Sequence, residues 1–290
     1  MKLTKDKKIL IIGLGVIGAA YADALTENGY TVYAITRSKE TLDIAKERGI
    51  IYNGINTPEK EFVEQADVVV FALYPHVFEE WIDSYQWMLK SGAVITDVTG
   101  VKTSIVYKIQ DKLRDDVEFI PAHPMAGRES RGIQYADKNV FKKANYIITP
   151  TDKNTEEAIE LCEDLAKVLG FEKISRLTPE KHDYMIAFLS QLTHVIAVSL
   201  MTASDDDSIY NYSGDSFRDL TRIANINDEM WSELFALNKE ALIKEIDKFE
   251  TQMYKMRKYI ETSDKNGMRE MMKQSTENKL AFDQKFQKNK

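Results

Sequence analysis

Through its first 175 or so residues the chain alternates short apolar runs with longer amphipathic stretches. The runs KILIIG (8–13), TVYAIT (31–36), DVVVFAL (67–73), AVITD (93–97), VEFIPA (117–122) and NYIITP (145–150) are almost continuously apolar. Strands covered on both faces lose the in-out alternation, so these runs predict a mainly parallel sheet between helical layers. Helical patterns fill the gaps. One starts near Val16 and stops at Gly29, and a second follows Ser38, a good N-cap, and ends at Gly49. A third, 154–169, ends at Gly170 before a last strand-like FEKIS. This rhythm is that of a doubly wound α/β domain.

After SRLTPEKHD the pattern changes. Thr178 and Pro179 form a helix start, and beyond them come no further proline and only Gly214 and Gly267. Residues 180–204 are apolar almost all round, which predicts a helix buried on most sides. Residues 230–260 predict one long amphipathic helix, with Met253, Tyr254 and Met256 as packing residues. The expected organisation is a dinucleotide-binding domain over 1–177 and an all-helical domain over 178–290. Helices this apolar suit a homodimer that interleaves them.

Composition narrows the class. The formal charge is −7, from 39 basic and 46 acidic side chains, with no basic block of the kind that grips nucleic acid. The single cysteine, Cys162, excludes a disulfide framework and reads as a small packing residue within a helix. No apolar run reaches the ~18 residues of a membrane span, and the basic N-terminus passes straight into a strand without the features of a signal peptide. A cytoplasmic protein without a membrane partner is expected. Four scattered histidines and one cysteine offer no metal-ligand spacing, so no metal is expected.

The first chemical motif is GLGVIG, Gly13-Leu14-Gly15-Val16-Ile17-Gly18, which follows a strand and opens a helix. In that context Gly13 makes the tight turn, Gly15 admits a pyrophosphate, and Gly18 lets helix and strand pack closely. The helix N-terminus then meets the phosphates. This makes the first domain a Rossmann-type one. At the end of the second strand Thr36 stands where an acid would bind the ribose of NAD, and Arg37-Ser38 follow. An arginine beside hydroxyl residues suits a 2′-phosphate. NADP is thus favoured, with NAD left open. Leu73, Tyr74 and Pro75, at the end of FALYP, turn the chain at the carboxyl edge of the sheet, where ligands lie. ITDVTGVK places Asp97, Thr99 and Gly100 at the same edge. His123 follows the next strand, suited to take a proton as hydride leaves, and Gly127 and Gly132 let the loop backbone approach a ligand.

Taken together, GLGVIG, DVTGVK, HPMAGRESRG, TPEKHD…SQLTHVIA and FRDLTRIANINDEMW resemble the prephenate/arogenate dehydrogenases of tyrosine biosynthesis, from Ile9 to about Asn238. The resemblance implies an N-terminal Rossmann-type sheet, an all-helical dimerisation domain, and substrate held between them. It implies hydride transfer from prephenate to NAD(P) with loss of CO₂, giving 4-hydroxyphenylpyruvate. By the same resemblance His123 is the base on the ring hydroxyl, Arg222 holds a substrate carboxylate, and His194 lies in the substrate pocket. His182-Asp183 gives support behind these residues or between the domains, Arg218 is a structural ion-pair partner, and Trp231 closes the pocket, packs at the dimer seam or packs in the core.

The chain departs from the family pattern at three places. A family serine that bonds the catalytic histidine is here Gly100, so Thr99 or a water takes over its hydroxyl. A family histidine is here Gln191. Arg128 fills a position that is often small, as a second carboxylate clamp or a partner of Glu129. The extra cation favours prephenate over arogenate, whose amino group it would repel. The length leaves no room for a fused mutase or a separate regulatory domain. The rival readings are a β-hydroxyacid dehydrogenase, which would need a lysine acid/base in the helical half, and a nucleotide-sensing dimer, which would not need His123, His194 and Arg222 together.

Overall fold

The computed structural model describes residues 2–127 and 130–288. Six parallel strands form one sheet: β1 (Lys8–Ile12), β2 (Thr31–Ile35), β3 (Asn53–Ile55), β4 (Val68–Phe71), β5 (Val94–Asp97) and β6 (Glu118–Ile120), in the order β3-β2-β1-β4-β5-β6. The order reverses between β1 and β4, which opens a crevice at the carboxyl ends of the strands. Each strand but the edge strand β3 serves two cores. Ile9, Ile11, Val68 and Val70 join one; Leu10, Ile12, Val69 and Phe71 join the other. This double coverage is the physical reason the strand runs are continuously apolar.

Helices α1 (Val16–Glu27) and α2 (Lys39–Glu47) contribute to the first core; α3 (Lys60–Val63), α4 (Pro75–Tyr85) and α5 (Thr103–Lys112) to the second. Ser38 caps α2 by accepting from Thr41 N at 3.1 Å. The apolar run 117–122 does not form one strand. It breaks at Pro121, which has no N–H for a ladder. The chain then enters a second sheet made of β7 (Ala122–Pro124), β8 (Asn145–Ile148) and β9 (Lys173–Arg176), in which β7 is antiparallel to β8. His123 therefore sits on a strand of its own, opposite Ile147. Helix α6 (Glu156–Leu169) connects β8 to β9 and buries Cys162 completely.

Helix α7 (Pro179–Ile186) continues through a wide, π-type turn over Ala187–Gln191 into α8 (Leu192–Met201). Two expectations are corrected here. This 23-residue helix, mean hydropathy 1.6, is long and apolar enough to cross a membrane by length and composition. It is also not buried on most sides: only 28% of its apolar window is buried, and Tyr184, Phe188 and Leu189 are half exposed. After α9 (Asp215–Thr221), the long helix expected over 230–260 is two, α10 (Asp228–Leu237) and α11 (Lys239–Glu261). Asn238 interrupts them because its buried amide donates to the Asp183 carbonyl at 3.0 Å and to Gln191 Oε1 at 2.7 Å. No periodicity reports such long-range bonds.

The chain divides into two compact units, 1–239 and 240–290. The second consists of α11 and α12 (Lys265–Lys288), joined through Ser263 at φ 53°. Its Met253 and Tyr254, expected to pack, are more than half exposed, as are Leu280, Phe282 and Phe286.

Gly13 takes φ 99°, and its N–H donates to the Ile35 carbonyl at 2.8 Å. A Cβ on Gly18 would lie 1.9 Å from the Gly13 carbonyl oxygen, whereas one on Gly15 would meet nothing within 4 Å. Gly18→Ala is therefore expected to destabilise the chain by about 1–3 kcal/mol and to weaken nucleotide binding. Denaturant unfolding together with a nucleotide titration checks this; an unchanged midpoint and affinity would show that the turn relaxes freely.

Candidate active site

The nucleotide end of the crevice is built from backbone. Helix α1 begins at Gly15 with no side-chain cap and no acid in its first turn. Its first N–H groups thus have no partner within the helix, a suitable place for a phosphate. Leu14 is buried in the core, so only its backbone can face a ligand, while Val16 and Ile17 are partly exposed. Thr36, Arg37 and Ser38 follow β2; Arg37 is exposed and forms no ion pair among the described residues. Leu73, Tyr74 and Pro75 follow β4, with Pro75 at the first position of α4. These residues fit a dinucleotide: an open glycine, an uncapped helix end, and a polar edge for the ribose.

His123 is held from behind by a chain of hydrogen bonds. Its Nδ1 lies 2.8 Å from His182 Nε2, and His182 Nδ1 lies 2.7 Å from Asp183 Oδ1. A carboxylate only accepts, so His182 carries its proton on Nδ1 and presents a lone pair at Nε2. His123 must then donate from Nδ1, which leaves its Nε2 with the free lone pair of a base. Asp183 is itself fixed by the backbone N–H groups of Lys102 at 2.8 Å and Thr103 at 2.7 Å. Burial pushes His123 well below the ordinary imidazole value, with His182 and Lys102 adding to the effect. Burial also lowers His182, against the pull of Asp183. Burial alone would raise the Asp183 carboxyl, but the bond from His182 and those from Thr103 outweigh it and hold it down.

Below this lies a second network. Lys102, fully buried, gives its three ammonium hydrogens to Asp97 Oδ2 at 2.7 Å, the Ala122 carbonyl at 2.5 Å and Thr99 Oγ1 at 3.1 Å. Asp97 Oδ1 accepts from Ala122 N at 3.0 Å. The Thr99 hydroxyl is bonded to Asp97 inside this buried network. The expectation that Thr99 supplies a hydroxyl beside His123 is therefore corrected: its side chain is committed to the interior. Gly100 is the residue beside the imidazole, where an added Cβ would lie 3.8 Å from His123 Nε2.

A cavity of about 420 Å³ opens in front of His123. It brings together Ile17, Gly127, Gln191, His194 and Arg222, with Gly100 beside the imidazole and Trp231 along one wall. Arg128 and Glu129 lie outside the described residues. Trp231 stacks on His194 with ring centroids 3.7 Å apart, and His194 Nδ1 donates to the Ser190 carbonyl at 2.9 Å. Gln191 is buried, donating to the Leu234 carbonyl at 3.0 Å and accepting from Asn238, so its amide ties α8 to α10 while one face lines the cavity. Arg218 pairs with Asp215 on the exposed face of α9.

On a regular helix His182 and His194 would stand about 120° apart; the extra residue absorbed by the wide turn at 187–191 brings them to about 20°. His182, Ile186, Ser190 and His194 thus form one stripe along the site. Sequence reasoning missed Ser190, Lys102 and three ties of α10. Asn227 donates to the Tyr74 hydroxyl at 2.9 Å, Arg131 donates to Asp228 at 2.8 Å, and Glu233 accepts from both His76 N and His76 Nδ1 at 2.8 Å. For Lys102 the one available signal is an opposite charge five residues after Asp97.

Comparison with known proteins agrees with this geometry. Residues 21–174 match the family model for the prephenate dehydrogenase nucleotide-binding domain, and residues 178–274 match that for its dimerization domain. The chain belongs to the prephenate dehydrogenase family. It is thus an oxidoreductase with a Rossmann-type domain for a nicotinamide dinucleotide, followed by the family's helical dimerisation domain. A prephenate dehydrogenase of Lactococcus lactis is 33% identical over 84% of this chain and 68% of that protein, and a cyclohexadienyl dehydrogenase of Zymomonas mobilis is 29% identical over 97% of each. The crystal structure of the Aquifex aeolicus prephenate dehydrogenase with hydroxyphenyl propionate and NAD⁺ superposes with a TM-score of 0.88 at 26% identity, over 97% of this chain and 100% of that one.

In a prephenate dehydrogenase site of this form the tautomer of His123 depends on an acceptor-only group at position 183. In Asp183→Asn the amide can turn its NH₂ toward His182 and reverse the chain, placing a proton on His123 Nε2. A fall in kcat on the order of 10²-fold with KM little changed is expected from steady-state rates. A kcat within twofold of the parent would contradict this tautomer assignment.

Proposed function

We propose that the chain oxidises prephenate to 4-hydroxyphenylpyruvate in tyrosine biosynthesis, as a cytoplasmic homodimer. The observation that carries the reading is the lone pair of His123 Nε2, oriented through His182 and Asp183 into a cavity shared with Arg222 and His194. His123 Nε2 takes the proton of the ring C4 hydroxyl as the C4–H bond breaks. The nicotinamide, when bound, accepts that hydride. The ring carboxylate then leaves as CO₂, its bonding electrons complete the aromatic ring, and His123 returns the proton to the phenolate oxygen. Arg222 clamps a substrate carboxylate through paired N–H donors. His194, backed by Trp231, contacts the substrate, and Gln191 and Gly127 shape the pocket. With Thr99 turned inward, no hydroxyl side chain of residues 99–100 shares the proton with His123.

The reading divides the chain by chemistry at 177/178, the first part holding the dinucleotide and the second the substrate and the dimer contacts. The exposed apolar residues of α7 and α8 support a homodimer. Prephenate is preferred to arogenate because the Bacillus subtilis and Lactococcus lactis relatives, 29% and 33% identical, are named prephenate dehydrogenase, and because the sequence carries an extra cation, Arg128, unfavourable to an amino group. Arg37 and the missing acid at Thr36 favour NADP over NAD.

Nucleotide reduction with prephenate or arogenate, each with NAD⁺ or NADP⁺, tests these choices. The expected best pair is prephenate with NADP⁺; a clear preference for arogenate would overturn the substrate assignment. His123→Asn should bind nucleotide normally and lose at least 10²-fold in kcat. A neutral base with a depressed pKa is present at neutral pH and is lost only as pH falls. The acid limb of kcat/KM should accordingly lie below about pH 6.5; a midpoint above that value would contradict the burial of His123.

A further inference from the structure

Lys102 is a fully buried cation that no step of the reaction consumes. Its ammonium has three hydrogens and three acceptors, Asp97, Thr99 and the Ala122 carbonyl, so its charged form is completely satisfied without water. Ala122 immediately precedes His123. Its carbonyl is taken by Lys102 and its N–H by Asp97, at 2.5 and 3.0 Å, so the pair grips this residue from both polar ends. The backbone N–H of Lys102 donates to Asp183, which orients His182 and through it the His123 ring. One residue thus reaches His123 along two routes, through its backbone and through its imidazole.

We propose that Lys102 is a positioning residue for His123: its ammonium locks the Ala122 backbone that presents the imidazole, and its charge, held away from solvent, opposes a second positive charge on the ring. The proposal rests on His123 being the base. Among the described residues, the charged and titratable groups around His123 are few. His182 comes from α7, with Asp183 behind it; Lys102 comes from the β5–α5 loop, with Asp97 behind it; His194 and Arg222 line the cavity in front. Lys102 lowers both imidazoles of the relay, alongside the larger effect of burial. Lysine here keeps the base free of a proton at the pH where it works.

The test is Lys102→Met, of similar length and without charge, assayed with prephenate and the preferred nucleotide across pH. Loss of the clamp is expected to lower kcat on the order of 10–100-fold, with both KM values within about threefold. Loss of the cation should also move the acid limb of kcat/KM upward by about one pH unit. A purely structural lysine would reduce the rate without moving that limb. Should Lys102→Met fail to fold, Asp97→Asn/Lys102→Met removes the pair without leaving a lone buried charge, and its limb should move in the same direction. NMR titration of the His123 ring gives the same comparison without turnover. A limb and ring midpoint that stay at the parent value overturn the proposal. His123→Asn separates the two readings. If it abolishes turnover while the Lys102 variants keep the parent limb, the lysine proposal alone falls; if it leaves turnover intact, the assignment of the base falls and the proposal with it.

Discussion

The buried pair of Lys102 and Asp97 is the contact on which the site depends. Both side chains are fully buried, and removing one partner of such a pair costs about 3–5 kcal/mol because the other charge is left without water or a counterion. The pair joins the end of β5 to the residue before His123. The backbone N–H groups that begin α5 hold Asp183 on α7. Seven consecutive residues, 97–103, thereby register the parallel sheet, the second sheet and the first long helix of the following region against one another.

Polarity propagates from that registration. Asp183 can only accept, and this fixes first the His182 proton and then the His123 proton. The free lone pair appears where the cavity begins. Burial keeps both imidazoles neutral, so the relay orients hydrogen bonds without storing charge. The wide turn at 187–191 completes the geometry by bringing His182 and His194 onto one stripe although they are twelve residues apart.

Apolar surface tells a second story. The sheet satisfies its strands within one chain, with a core on each face. The helix Pro179–Met201 does not: it carries span-length apolar character, yet much of its surface is uncovered in the single chain. A match to a dimerisation domain beginning at residue 178 gives that surface a physical purpose, since a second copy can remove it from water.

Local patterns made much of the protein readable. Continuous apolar runs marked the strands, because double burial leaves no polar face to interrupt them. Gly13, Gly15 and Gly18 marked the phosphate turn: a side chain at Gly13 or Gly18 would strike backbone, while Gly15 leaves the helix end open. His123, His194 and Arg222 could be picked out from motifs, and the fold brings all three to one cavity. Where the outcome hung on contacts between distant residues, the sequence was silent or misleading. Thr99 looked available beside His123, but Asp97 and Lys102 claim its hydroxyl. The helix over 230–260 looked continuous, but Asn238 leaves it to bond Asp183 and Gln191. Pro121 moved His123 into a second sheet, and nothing in DVTGVK showed that Lys102 would be buried. The sequence determined the strands, the nucleotide turn and the chemical identity of the site, because these rest on side-chain size and short-range geometry. The tertiary structure alone decided the tautomer of the base and the burial of its supporting lysine, because these depend on partners 20, 59 and 81 residues away along the chain.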